Sequence, residues 1–367
     1  MKTRAAVFYG PGQPFVIETL DLSEPREGEV LVKVKAAGVC HSDWHLMTGA
    51  TLHPVPCVAG HEGAGLIERV GRGVTSAKVG DLIALNWAPN CGDCFYCNHG
   101  RPSLCAAYVE PIWAGTMMDG TTRLSKNGHP VFHFSALACF AEYAVVPEQC
   151  CVPLPSDTPF EIAAVVGCAV ATGVGAVVNT ARITEGSSVA VYGVGGVGLS
   201  AVMGAVVAGA SVVVAVDSVD SKLETARSMG ATHGIASGPG AAKAIQDLTD
   251  GRGADFVIEC VGIPALQEQC LDAVRPGGCL VLAGIAPMGS GTNFPGAVLT
   301  RQEKTVMGCY YGTANPKEDF PLYSRWFKEG RLPLDRLITR RYNLDQINEA
   351  YADLIAGKNA RGVLVFD

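Results

Sequence analysis

Ser188-Val189-Ala190-Val191-Tyr192-Gly193-Val194-Gly195-Gly196-Val197-Gly198 is the stretch whose reading decides the fold. Residues 188–192 read as a short buried strand, and the Ala-rich run to about Ala208 reads as a helix. Between them Gly193, Gly195 and Gly198 form a G-x-G-x-x-G pattern. A second Val-rich strand runs from Ser211 to Val216 and ends on Asp217, about twenty residues past the last glycine. With a strand before it, a helix after it and an acid at that spacing, the pattern is a dinucleotide fingerprint. Gly193 permits the turn, Gly195 lets pyrophosphate approach the backbone, and Gly198 lets the helix pack on the strand, with Gly196 and Val197 completing the loop. The helix N-terminus supplies N–H donors to phosphate. Asp217 suits two ribose hydroxyls and repels a 2′-phosphate, which favours NAD over NADP.

Toward the C-terminus the chain continues as strands alternating with helices. Helices are expected at 222–230, 241–249 and 266–274, and strands at 235–236, 254–260, 278–283 and 306–311, with Gly284-Ile285 closing one of them. Such alternation implies a parallel sheet covered on both faces. From 312 onward amphipathic helices and a closing strand at 361–366 follow. Toward the N-terminus the first 90 residues or so read as strands and turns. Residues 106–135 read as a turn-rich loop with hairpin character, and 163–178 as a buried helix of small residues. The fold class is therefore α/β.

Several stretches carry metal chemistry. Cys91, Cys94, Cys97 and Cys105 can wrap a tetrahedral ion in one lobe, and four thiolates leave no open position. Such an ion is structural, and zinc is the expectation. An iron–sulfur cluster is the rival, and redox-active thiols are a third option. Elsewhere Cys40-His41-Ser42-Asp43-Trp44-His45 packs a thiol, a hydroxyl, an acid and two imidazoles together. Gly60-His61-Glu62-Gly63-Ala64-Gly65 folds tightly around an imidazole and a carboxylate. Cys168, in an apolar helix, is either core or a further ligand. Cys40, His61 and Cys168 together leave a fourth position for substrate, an arrangement that catalytic zinc uses.

Composition narrows the class. The net charge of −7, with no basic run, argues against a nucleic-acid partner. Fourteen cysteines in a chain of 367 residues without an export signal favour metal ligation and free thiols over a disulfide framework. The uncharged run 199–216 is long enough to raise a membrane span. Its glycines and its change from helix formers to valines read instead as helix, turn and strand, so no membrane partner is expected and the location is cytoplasmic.

With these parts in this order the chain resembles the zinc-dependent medium-chain alcohol dehydrogenase family over essentially its whole length. The resemblance rests on G-V-C-H-S-D at 38–43, G-H-E-G-A-G at 60–65, the four-cysteine lobe, G-C-A-V-A-T-G at 167–173, and the fingerprint with Asp217. It implies a GroES-like β-rich catalytic domain, residues 1–170 and 312–367, holding both zinc sites. A Rossmann NAD-binding domain occupies 171–311. It further implies that Asp43 steadies His61, that Glu62 lies behind the zinc, and that Ser42 takes the alcohol proton, the nicotinamide ribose passes it on and His45 releases it. His41 and Arg361 would face the cofactor phosphates and Lys222 the adenosine ribose, while Thr172, Val197 and Ile285 line the nicotinamide cofactor. Trp87 and Phe134 would line an apolar pocket for aliphatic, allylic or benzylic primary alcohols. The loop Gly115–Gly120 resembles that of the long-loop members, which are usually homodimers. The expectation is thus an NAD-dependent enzyme with one catalytic and one structural zinc. Leu85-Asn86-Trp87 and Gly100-Arg101-Pro102 also resemble the mycothiol-dependent formaldehyde dehydrogenases, which act on a thiol adduct. No Arg follows Cys105 where glutathione-dependent enzymes hold a carboxylate. A non-catalytic zinc- and NAD-binding sensor is the reading from another class, and intact Ser42 and His45 argue against it.

Overall fold

The computed structural model describes residues 1–367. The chain forms two compact units. The first comprises Met1–Cys168, Asn315–Lys328 and Leu337–Asp367, and the second Ala169–Ala314 with Glu329–Arg336.

The second unit is built on six parallel strands. Their order across the sheet is His233–Ala236, Val212–Asp217, Ser188–Tyr192, Ala254–Glu259, Val274–Leu282 and Thr305–Gly308. The first strand in sequence thus lies mid-sheet. The chain winds outward to one edge, returns, and winds to the other. Such a switch point opens a crevice beyond the carboxyl ends of the two central strands. These strands are buried on both faces, which is why they read as continuous Val, Ala and Ile runs. Gly193 adopts φ +82°, and its N–H donates to Val216 O at 2.8 Å. A methyl group on Gly198 would lie 1.9 Å from Gly193 O, so only glycine lets the helix Gly196–Val207 start so close to the strand. The uncharged run 199–216 resolves into that helix, a turn, and the strand Val212–Asp217. Another helix, Phe160–Ala181, is long and apolar enough to cross a membrane by length and composition, yet 89% of that window is buried inside the protein.

The first unit pairs a small closed barrel with a seven-stranded sheet. The barrel joins Lys2–Phe8, Val16–Leu22, Leu124–Lys126, His129–His133 and Cys57–Val58. The sheet is organised around Glu29–Val39, which pairs with Gly63–Val70, Tyr143–Pro147 and Arg361–Val365. Nine of its eleven residues are buried, so it serves as the shared wall of the unit's core.

Two expectations need correction. The stretch from His41 to Thr48, inside the first 90 residues or so that read as strands and turns, is a helix. Its residues carry no apolar stripe. It is held instead by Asp43, which is fully buried, and by Trp44, whose ring stacks on Tyr351 at 6.5 Å. Residues Ala106–Ala114, expected within a turn-rich loop, also form a helix, although Pro111 lies inside it, and the hairpin character is confined to the antiparallel pair Leu124–Lys126 and His129–His133. Pro111 hid that helix from a pattern reading, since proline removes an interior hydrogen bond.

Candidate active site

Cys40 follows the long central strand Glu29–Val39 and is the residue from which the helix His41–Thr48 starts, so it sits at a strand-to-helix corner. One turn in, Asp43 accepts from Gly60 N–H at 2.9 Å with Oδ1, and its Oδ2 lies 3.0 Å from His61 Nδ1. This carboxylate fixes the imidazole's orientation and leaves Nε2 as the free face of the ring. Nε2 is buried with no protein partner. It points into a cluster in which single ligand atoms of Cys40, His61, Glu62 and Cys168 all lie within 4.8 Å of one another. Cys168 comes from a wide turn, Val166–Val170, in the helix Phe160–Ala181, and such local widening is frequent at functional sites. Two thiols and one imidazole, its Nδ1 facing the Asp43 carboxylate and its Nε2 a buried orphan, fit a zinc ion.

Glu62 is fully buried and its Oε2 is paired with the Arg361 guanidinium. A methyl group on Gly38 would lie 2.0 Å from Glu62 Oε2, so the glycine before the Val-Cys corner makes room for this carboxylate. Arg361, expected at a cofactor phosphate, is 3% exposed and engaged with Glu62, with its Nε left without a partner. Burial pushes Glu62 up to about 7 against the opposing pull of Arg361. The Cys168 thiol beside it, with His61 and Arg361, holds Cys40 well below the ordinary thiol value despite burial, while Cys168 is pushed up. Burial lowers His61, but Asp43 and Cys40 outweigh it and leave the imidazole well above the usual histidine value. The pocket is thus already polarised toward a thiolate ligand.

Ser42 Oγ lies 3.7 Å from Cys40 Sγ, beside the cluster. His45 lies three residues further along the same helix and is half-buried, and His41 is exposed on its first turn. Trp87 and Phe134 stand edge-on to the His61 ring, at 6.4 and 5.7 Å between centroids. Two participants escaped sequence reading. Tyr351 packs against Trp44 with its hydroxyl buried and unpartnered, and the Glu62–Arg361 pair joins residues 299 apart. No local pattern signals either.

The lobe of Cys91, Cys94, Cys97 and Cys105 is the second cluster. Its sulfurs lie 3.5 Å apart for Cys94–Cys97 and for Cys91–Cys105, 3.9 Å for Cys94–Cys105, and 4.0 Å for Cys91–Cys97. A tetrahedron with Zn–S bonds of about 2.3 Å has edges of about 3.8 Å. The thiols therefore fit a single ion. An iron–sulfur cluster interposes several iron and sulfide atoms and would hold them much further apart.

In the second unit Asp217 is 8% exposed at the end of its strand. Its carboxylate accepts from Val194 N–H at 2.9 Å and Val219 N–H at 3.1 Å, which ties the glycine turn to the neighbouring strand end. A Cβ on Gly195 would meet nothing within 4 Å, leaving that backbone open to a ligand. Lys222 sits in the first turn of the helix Asp220–Ser228, Thr172 is buried in the helix Phe160–Ala181, and Ile285 is 65% exposed beyond the sheet.

Two family models match the chain. Residues 26–156 match the alcohol dehydrogenase GroES-like domain, and residues 196–329 match the zinc-binding dehydrogenase domain. The chain is 42% identical over 368 residues to an NDMA-dependent alcohol dehydrogenase of Amycolatopsis methanolica, covering 100% of this chain and 99% of that one. It belongs to the zinc-dependent medium-chain alcohol dehydrogenase family. The benzyl alcohol dehydrogenase of Acinetobacter calcoaceticus superposes with a TM-score of 0.95 at 35% identity, each chain covered in full. An S-(hydroxymethyl)glutathione dehydrogenase of Paracoccus denitrificans is 34% identical over 382 residues, again covering 100% of both chains. As a member of this family the chain is an alcohol dehydrogenase-type oxidoreductase with a GroES-like domain and a Rossmann-type domain.

Proposed function

We propose that this protein interconverts primary alcohols (aliphatic, allylic or benzylic) with their aldehydes, using NAD and two zinc ions per chain. The observation that carries the reading is the buried cluster of Cys40, His61 and Cys168, with Asp43 fixed behind His61. A bound zinc there supplies Lewis-acid polarisation of the substrate oxygen, and a bound nicotinamide supplies the hydride acceptor. The chain's own residues do the rest. Ser42, beside Cys40, takes the alcohol proton, and His45 delivers it to solvent. Trp87 and Phe134 present aromatic edges around His61, which suits an apolar or benzylic substrate. Asp217 receives the adenosine ribose, Lys222 assists it, and Thr172, Val197 and Ile285 line the cofactor. His41 and Arg361 are the candidates for its phosphates. The exposed lobe holds the structural zinc through its four thiols. A cytoplasmic homodimer completes the reading.

A second reading is a dehydrogenase for the adduct of formaldehyde with a low-molecular-weight thiol, favoured by the Paracoccus relative and by Gly100-Arg101-Pro102. The NDMA dependence in the name of the Amycolatopsis relative bears on the electron acceptor. One experiment separates these. NADH absorbance is followed over a panel of alcohols, with and without added thiols, and aldehyde formation is followed again with NDMA present. Turnover of benzylic and aliphatic alcohols with free NAD supports the first reading. Formaldehyde oxidation only with thiol supports the second, and alcohol turnover only when NDMA is present would overturn free NAD as the acceptor. No turnover under any condition would favour a sensor. Replacing Asp217 by Gly is expected to relax the preference toward NADP, and an unchanged preference would refute its role.

A further inference from the structure

Glu259 ends the fourth strand of the parallel sheet and is fully buried. Its carboxylate is held by N–H donors and not by an ion pair. Oε1 accepts from Val261 N–H at 2.6 Å and Gly262 N–H at 2.8 Å. Oε2 accepts from Gln267 Nε2 at 3.2 Å, and Gln267 Oε1 in turn accepts from Thr292 Oγ1 at 2.6 Å. The backbone carbonyl of Glu259 also accepts from Ala283 N–H at 2.8 Å and Gly284 N–H at 2.9 Å. One residue therefore ties together the turns that leave two adjacent strands. Burying a carboxylate is costly unless it is fully hydrogen-bonded, so this arrangement is a demanding one.

The turn it holds meets two others with no spare room. A methyl group on Gly193 would lie 2.3 Å from Val261 Cγ2. One on Gly262 would lie 2.3 Å from Ile285 O, and one on Gly284 would lie 2.2 Å from Gly262 N. The first of the three is the glycine of the fingerprint. Displacing Val261-Gly262 therefore displaces both the phosphate-binding turn and the Gly284-Ile285 peptide. Around this knot large apolar side chains face outward: Val261 at 41%, Ile263 at 53% and Ile285 at 65% exposure. Exposed aliphatics beside a glycine turn at the carboxyl ends of parallel strands suit a flat heteroaromatic ring.

The topology says which end of the nucleotide this is. Asp217 lies on the strand to one side of the switch point, and a dinucleotide spans the switch with one half on each side. The adenosine ribose on Asp217 leaves the nicotinamide half for the side of Glu259. We propose that Glu259 is the positioning residue of the nicotinamide half-site, acting through the Val261-Gly262 turn. The inference rests on the NAD reading above.

Its test is the isosteric variant Glu259→Gln. Because both carboxylate oxygens face donors, an amide sets its NH2 against a donor whichever way it turns. A compensating flip of Gln267 would place its oxygen against Gly284 O, now 3.5 Å from Nε2. Affinities for NAD and for ADP-ribose, which lacks the nicotinamide, are measured by titration calorimetry on protein stripped of nucleotide. The expected result is NAD affinity weakened roughly tenfold and ADP-ribose affinity, whose pyrophosphate rests on the adjoining Gly193 turn, weakened clearly less. KM for NAD should rise more than kcat falls. Gln267→Met, which leaves both backbone hydrogen bonds to Glu259 intact, should shift NAD binding in the same direction by less. Equal weakening of both ligands, or a lowered melting temperature with both affinities intact, would overturn the proposal by making Glu259 merely structural. Failure of the unaltered protein to bind NAD would instead sink the cofactor reading.

Discussion

Cys91, Cys94, Cys97 and Cys105 come from one short loop at the surface, whereas Cys40, His61 and Cys168 are brought together from a strand end, a glycine turn and a helix in the interior. The lobe offers four sulfurs with spacings that close a tetrahedron. The inner cluster offers two sulfurs and a nitrogen, with a carboxylate held back by Arg361. The lobe needs only local chain geometry. The inner cluster needs the whole first unit, down to the carboxylate that turns one imidazole. Closure at the first site and vacancy at the second separate holding a fold from doing chemistry.

That contrast can be broken experimentally. The largest effect is expected from His61→Ala. Removing a Lewis-acid contribution of several kcal/mol should lower alcohol turnover about a thousandfold or more. Metal analysis should show one ion lost per chain and the lobe still filled, and loss of both would mean that the sites are not independent. Next comes Asp43→Asn, which leaves the ligands intact but loosens the imidazole. Metal affinity at the inner site should fall about 10–100-fold, read by competition with a chelator, with the lobe unaffected. Cys97→Ser should reverse the pattern. The melting temperature drops by several degrees, at about 2–4 °C per kcal/mol for units of this size, while turnover in the cold is retained. A cold-inactive Cys97→Ser protein would erase the distinction between the two sites.

The smallest effect lies outside both clusters. His133 is buried, its Nε2 accepts from Arg123 N–H at 2.9 Å, and burial first, then the nearby Arg123, push its pKa down to about 3. An unfolded chain takes up this proton near pH 6.5 and the native one does not, so stability is lost as pH falls from about 6.5 toward 3. The slope is at most about 1.4 kcal/mol per pH unit. His133→Gln should flatten the acid side of the melting curve without changing metal content at neutral pH. An unaltered acid limb would show that other groups dominate.

The parallel sheet was legible because its strands are continuous apolar runs and its fingerprint is contiguous. The four-cysteine lobe was visible for the same reason. The helices His41–Thr48 and Ala106–Ala114 were not. One is stabilised by partners distant in sequence, Gly60 and Tyr351, and the other contains a proline. The engagement of Arg361 with Glu62 could not be read from either residue's neighbours, since it depends on strand Arg361–Val365 pairing with Glu29–Val39. Position along the chain says nothing about such a pairing.

That pairing also orders events in time. Glu62 waits for a partner synthesised 299 residues later, whereas nearly all of the second unit has emerged by then. During translation, domains fold as units from the N-terminal side, and here the N-terminal side cannot finish first. A nascent chain released before Arg361 would carry a finished nucleotide-binding unit beside a buried, uncompensated acid. Premature termination should therefore yield a protein that still folds around dinucleotide but cannot mature its metal centre.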